Sequence, residues 1–353
     1  MNKISIPHSK PTLGKKEKEA LAKVIDSGYI ARGPSTLNFE KKLAQFIGTK
    51  YAFTSNSGTA SLHLSLLALK VKKRDEVIIP SYVCSALYSS VSFTGATPVV
   101  VDVNYSDGNI SAESITKGIS KKTKAIIVPH IFGKPADIDS ISDLGYPIIE
   151  DCAHSIGAEY KATKVGNFGE LSIFSFYPTK MLATGAGGAV LTNNKEFINF
   201  VKDVGDYVHK KSPMLRFNYA MNDVSASIGL VQLAKLPTFI ERRNKIAKMY
   251  DEFFSCFDVE IPQRSNNIQS VYYRYLIKFP KYIKSVKIKN CMKTYGISCS
   301  TNDYSIHRTY SLDKKDFPNT EMLLDHGLSI PIYPSLSDNE IDYIFDCFKK
   351  AHK

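Results

Sequence analysis

Short runs of β-branched and aliphatic residues alternate with helical patterns over the first two thirds of the chain. The runs at 76–79, 98–101, 125–128, 147–149, 171–174 and 189–192 have strand length, and segments such as 15–25 and 60–69 repeat their apolar residues at helical spacing. This alternation predicts βαβ units and an α/β fold with a mostly parallel sheet. The runs at 98 and 125 are almost continuously apolar, as expected of strands covered on both faces. From about 224 to 250 the pattern turns helical, with Ile228, Val231 and Leu233 before Pro237, and Ile240 and Ile246 after it. A proline there predicts that one helix ends and another begins. We read this stretch as the passage from a large domain, 1–235, to a smaller C-terminal one, 236–353. The second part continues with a tyrosine-rich strand at 271–279, polar loops around 300–316, a strand-like stretch at 328–332 and a closing helix at 338–349 capped by Ser337. No internal repeat or low-complexity tract is evident.

Composition adds limits. The chain has 353 residues, 43% hydrophobic and 23% charged, which suits one large domain with a smaller companion. No long uncharged apolar run and no apolar leader is present, so the expectation is a soluble, cytoplasmic protein without membrane contact. The cysteines Cys84, Cys152, Cys256, Cys291, Cys299 and Cys347 show no CxxC spacing, which argues against a zinc site or disulfide framework, and no metal is expected. The formal net charge of +12 raises the question of nucleic acid, but the lysines are dispersed and form no basic arm. A positive field equally draws in a substrate bearing a pyrophosphate.

Three segments carry candidate chemistry. In Phe174-Ser175-Phe176-Tyr177-Pro178-Thr179-Lys180, followed by Gly185, Gly187 and Gly188, a lysine stands just beyond an apolar strand on a turn fixed by proline. Such a lysine can be desolvated and held at one point, as a Schiff-base lysine must be. Elsewhere a lone lysine is ordinarily a solvated surface charge. In Ile148-Ile149-Glu150-Asp151-Cys152-Ala153-His154 an apolar strand delivers Asp151 to its carboxyl end, where open α/β sheets bind ligands. A carboxylate there can keep a pyridine nitrogen protonated, although capping a following helix is the commoner use. In Thr54-Ser55-Asn56-Ser57-Gly58-Thr59 small hydroxyl residues and a glycine open a helix, presenting N–H groups and a positive dipole end to an anion. Ser175 can add a hydroxyl to the same phosphate.

Together these segments resemble the DegT family of nucleotide-sugar aminotransferases, within fold type I of the pyridoxal 5'-phosphate (PLP) enzymes. The resemblance spans nearly the whole chain. It includes Gly28-Tyr29-Ile30, Gly33-Pro34, Asp75-Glu76-Val77-Ile78, Gly95-Ala96-Thr97-Pro98, Ile228-Gly229-Leu230-Val231-Gln232-Leu233 and Leu328-Ser329-Ile330-Pro331. It implies that Lys180 carries the cofactor as a Schiff base, that Asp151 pairs with the pyridine nitrogen, and that His154 lies near the phenolic oxygen. Ser57, Gly58, Thr59 and Ser175 match the phosphate-holding positions. Asn218 matches an asparagine supplied from the neighbouring subunit, which implies a homodimer with shared sites. Tyr304 and His307 resemble a segment near the sugar.

The implied reaction takes an amino group from an amino acid, by analogy glutamate, through pyridoxamine 5'-phosphate (PMP) to a nucleotide-linked keto sugar. Three positions depart from the family pattern. The residue that usually stacks an aromatic ring on the cofactor is Cys84, leaving that task to Tyr82 or to nothing. Ala220 stands two places after Asn218 where relatives have arginine. Ala186 precedes Gly187-Gly188 where many have an acidic residue. A dehydratase branch of the family typically has histidine at the lysine's place, so Lys180 speaks against dehydration. A regulatory DNA-binding protein on the same fold is suggested by charge alone. His63, on a leucine-rich helix, reads as packed, and His130 has no evident role.

Overall fold

The computed structural model describes residues 5–208, 213–301 and 304–352. The strands are β1 (Tyr51–Ser55), β2 (Glu76–Pro80), β3 (Thr97–Val101), β4 (Thr123–Pro129), β5 (Ile148–Asp151), β6 (Glu159–Tyr160), β7 (Thr163–Lys164), β8 (Leu171–Ser175), β9 (Gly188–Thr192), β10 (Ile268–Gln269), β11 (Tyr275–Lys278) and β12 (Gly327–Ile330). Seven of them form one sheet in the order β1-β9-β8-β5-β4-β2-β3, an α/β arrangement of fold type I. Pairing is parallel except for β9, which runs antiparallel to both β1 and β8. The carboxyl ends of β1, β2, β4, β5 and β8 therefore meet at one edge, and β9 starts there.

The apolar runs form strands because β4, β5, β8 and β9 are buried on both faces, with Ile126, Ile127, Ile149, Leu171, Val190 and Leu191 out of solvent. One expectation fails at β3. Its residues are mostly half-buried, since β3 is the sheet's edge strand rather than a covered one. Its valine run reflects strand propensity as well as burial.

Pro237 does not end a helix. Asp223–Phe254 is one helix of 32 residues with the proline inside it, capped by Asn222, whose side chain accepts from Ser225 N–H at 2.9 Å. An interior proline costs about 3 kcal/mol. Burial of Leu233, Leu236, Phe239 and Ile246 on either side, each giving about 1.5–3 kcal/mol, outweighs it. The boundary expected at 235/236 thus falls inside a continuous element. Beyond it, Ile246, Tyr250 and Phe254 pack with β11, β12 and the closing helix Asp338–Ala351 in a hydrophobic cluster of their own. Ser337 caps that helix as expected, accepting from Glu340 N–H at 3.3 Å. Among the described residues no helix is long and apolar enough to cross a membrane.

Candidate active site

A cleft of about 270 Å³ opens at the shared carboxyl edge of the sheet. Ser57, Gly58, Thr59, Cys84, Asp151, Ser175 and Lys180 all line it. Segments separated by more than a hundred residues converge because β1, β2, β5 and β8 all end at the same edge of the sheet.

At one end the helix Gly58–Ala68 points its N-terminus into the cleft. Ser57 is its cap and accepts from Ala60 N–H at 3.1 Å. This leaves the first-turn N–H groups of Gly58 and Thr59, which no helical carbonyl can reach, facing the space. Gly58 is required by close approach: a Cβ there would sit 3.0 Å from Cβ of Ser175. Gly188, at the start of β9, is similarly constrained, since its Cβ would lie 2.5 Å from the carbonyl oxygen of Ser57. The cradle is thus built to bring backbone N–H groups and the Ser175 hydroxyl around one small anion.

Asp151, 8% exposed, lies deeper, where Oδ1 accepts from Ala153 N–H at 2.9 Å. Burial pushes its carboxyl pKa up, against the opposing pull of that hydrogen bond, Lys180 and His130. A buried carboxylate short of positive partners fits a protonated ring nitrogen, which would supply the missing charge. Glu150, the preceding residue, faces the other way. It accepts from the N–H groups of Gly166, Phe168 and Gly169 at 2.7–2.8 Å and contacts His130 Nε2 at 3.1 Å. His130 therefore does have a role, tying β4 to the loop that follows β7. Cys152 lies with these two groups in a possible metal-binding cluster, but burial drives its thiol pKa well up, which disfavours the thiolate a metal needs.

Lys180 follows β8 on the turn closed by its own N–H to Tyr177 O, at 2.8 Å. Burial works against its ammonium form, but the anionic forms of Tyr273, Tyr304 and Cys84, with Asp151, prevail and raise its pKa. Its Nζ stands 5.2 Å from the Tyr273 ring centre. His154 stacks on the same ring at 4.2 Å between centroids. Burial, then the charges of Lys180 and Arg274, holds His154 neutral, well below the usual histidine range.

Several expected residues find different places. Tyr82 is fully buried, edge-on to Phe132 and beneath Gly108, and does not line the cleft. Cys84 does line it, so the segment that follows β2 presents a thiol to the cleft and not the Tyr82 ring. His307 is also fully buried, with Nε2 2.6 Å from Glu321 and its ring stacked on Phe317, away from the cleft. Tyr304 lies behind the cleft lining, its hydroxyl accepting from Arg274 Nη2 at 3.1 Å and its ring 6.3 Å from that of His154. Asn218 is exposed beside the cradle segment, its carbonyl accepting from Asn56 Nδ2 at 3.0 Å. His63 is packed, as read, among Phe93, Phe217 and Tyr219.

Tyr273 and Arg274 were not singled out from sequence. Both arrive from the C-terminal part because Val271 N–H donates to Gly133 O at 3.0 Å and Arg274 N–H to Phe132 O at 3.3 Å. Burial opposes ionisation of Tyr273, yet Lys180, Arg274 and the Thr179 hydroxyl bring its pKa down to about 8. The one available signal was a charged residue inside an otherwise aromatic and apolar run, Tyr272-Tyr273-Arg274-Tyr275.

A lysine beyond a strand end, a carboxylate at the sheet edge and an anion cradle in one cleft are the features that a PLP-binding site of fold type I requires. The comparisons agree: residues 11–349 match the DegT/DnrJ/EryC1/StrS aminotransferase family, and the chain belongs to it. It is 34% identical to the GDP-perosamine synthase of Escherichia coli O157:H7, over 98% of each chain. It also superposes with a TM-score of 0.93 and 25% identity on Spr1654 of Streptococcus pneumoniae, named as a sugar aminotransferase and solved in its PMP form, covering 99% of this chain and 98% of that one. PseC of Helicobacter pylori, an aminotransferase of pseudoaminic acid biosynthesis, gives 0.90 at 27% identity and 99% of both chains. The protein is a PLP-dependent aminotransferase, and the cleft fits that cofactor.

Proposed function

We propose that the protein transfers the amino group of an amino acid, glutamate in the first instance, to the keto group of a nucleotide-linked sugar, a step of amino-sugar biosynthesis. The observation that carries this reading is the convergence of Lys180, Asp151 and the Ser57–Thr59 cradle in one cleft. The sugar half draws its support from the relatives named above, which make or process amino sugars, and from the net positive charge that suits a pyrophosphate-bearing substrate.

In this reading the first-turn N–H groups of Gly58 and Thr59, with the Ser175 hydroxyl, hold the cofactor's phosphate. Asp151 keeps a proton on its ring nitrogen, and the neutral His154 stands by its ring oxygen. The bound cofactor supplies an electron sink that makes the donor's α-proton acidic. Lys180 would be the base at hand to move that proton. We also assign Lys180 the Schiff-base role and a homodimer as the working unit, with Asn218 of one chain reaching the phosphate in the other. Asn218 is exposed, and Tyr29, Ile30, Tyr177, Tyr207 and Leu215 leave apolar surface open to a second copy.

The test incubates the PLP-loaded protein with L-glutamate and a panel of nucleotide-linked 3-keto and 4-keto sugars, followed by mass spectrometry. The expected product has the keto oxygen replaced by an amine, with an equal amount of 2-oxoglutarate. Loss of a sugar hydroxyl without amine gain would instead establish dehydration. Turnover of glutamate with small keto acids, but with no sugar of the panel, would contradict the sugar reading.

A further inference from the structure

Arg274 is a cation that the site, as described so far, leaves unused. Its guanidinium lies between two aromatic rings, with Cζ 5.5 Å from the centre of Tyr273 and 5.2 Å from that of Tyr304. Nη2 donates to the Tyr304 hydroxyl, while Nη1 is buried and has no hydrogen-bond partner. Among the described residues no carboxylate pairs with it. An unpaired buried guanidinium nitrogen is costly and is retained where something else completes it.

The surroundings deepen the imbalance. His8, close to Ser329 Oγ at 2.8 Å, has its pKa lowered to about 3 by burial and then by Arg274, Arg243 and Lys289. Arg243, 3% exposed, donates only to the carbonyls of Tyr272, Tyr273 and Ile332. Among the described residues Arg274 meets the phenols of Tyr273 and Tyr304 but no carboxylate, and it shares the Tyr273 ring with Lys180.

We propose that Arg274 binds the α-carboxylate of the amino-acid donor. The planar fork of a guanidinium matches a carboxylate with two parallel N–H···O bonds, and the neighbouring Tyr273 and Tyr304 rings restrict where the Arg274 head can go. Position selects this carboxylate over the pyrophosphate of a sugar nucleotide. Arg274 and Lys180 lie against the same Tyr273 ring, and an α-carboxylate is two bonds from the reacting amine. A pyrophosphate is held away from the reacting carbon by the width of the sugar. This inference rests on the amino-acid donor of the function proposed above, though not on its sugar acceptor.

The two half-reactions separate the alternatives. With PLP-loaded protein and L-glutamate alone, conversion of the cofactor's absorbance gives a half-saturating donor concentration. Arg274→Gln is expected to raise it on the order of 100-fold, the loss of a charge-assisted bidentate contact. The PMP-loaded variant should meet its keto-sugar acceptor at a half-saturating concentration within about threefold of the parent protein. Arg274→Lys, which keeps the charge but not the fork, should recover part of the donor loss. A second readout compares L-glutamate with γ-aminobutyrate, which lacks the α-carboxylate: the parent's preference for glutamate should collapse in Arg274→Gln. An equal rise in both half-reactions, a rise confined to the sugar, or an unchanged donor response would each overturn the assignment. Failure of every sugar in the panel sinks the sugar reading and leaves this donor measurement intact.

Discussion

Replacing Lys180 by alanine should lower the glutamate half-reaction by at least about 10⁴-fold while the protein still takes up PLP. Two roles vanish together in this variant, the covalent hold on the cofactor and the proton carrier nearest the donor's α-carbon. Binding survives because the phosphate is held by other groups of the cleft, the Gly58–Thr59 helix end and Ser175, which the substitution leaves in place. The fold should also survive: the half-buried lysine packs against the Tyr273 ring at an open cleft, where alanine leaves space that water can fill. Stopped-flow absorbance with saturating glutamate measures the effect. A variant that retains more than about 1% of the parent rate would show that another group moves the proton.

Asp151→Asn should slow the same half-reaction by roughly 10²–10⁴-fold, because a neutral amide does not keep the ring nitrogen protonated. The substitution preserves shape, and the amide oxygen can still accept from Ala153 N–H. Its stability effect has the opposite sign. Burial raises the Asp151 pKa in the folded protein above its unfolded value, so the ionised carboxylate counts against folding once the pH exceeds the unfolded value. A neutral side chain removes that penalty. The cofactor-free variant should therefore melt at or above the parent's temperature near pH 7, and the difference should shrink as the pH falls toward the unfolded carboxyl range. A large activity loss with a higher melting temperature marks a charge kept for function at the expense of stability. An unchanged half-reaction rate would remove Asp151 from the ring-nitrogen role.

The parts of this site legible in the sequence are those made by contiguous residues. A capping serine, a glycine and a threonine at 57–59 announce an anion cradle because the helix start that uses them is local. Asp151 and Lys180 could be placed because strand ends in a parallel sheet share one edge, so a strand boundary is also a site coordinate. Residues whose role depends on distant packing were harder. Tyr273 and Arg274 reach the cleft only through hydrogen bonds between 271–274 and the turn at 132–133, which no periodicity encodes. His307 lay in a polar loop, but its ring is buried against Phe317 and paired with Glu321, a contact 14 residues away that turns it from the cleft. Tyr82 is drawn into the core by Phe132, whose own backbone sits in the left-handed region at φ 57°. Pro237 misled because a breaker rule weighs the local cost alone, while the helix it interrupts is buried on both sides of it.

The most direct test of the account is to reduce the PLP-loaded protein with borohydride, digest it and map the pyridoxyl group by tandem mass spectrometry. The account predicts one modified peptide, spanning the turn after β8, with the group on Lys180. Modification of any other lysine, or a cofactor released unmodified by denaturation, would contradict it.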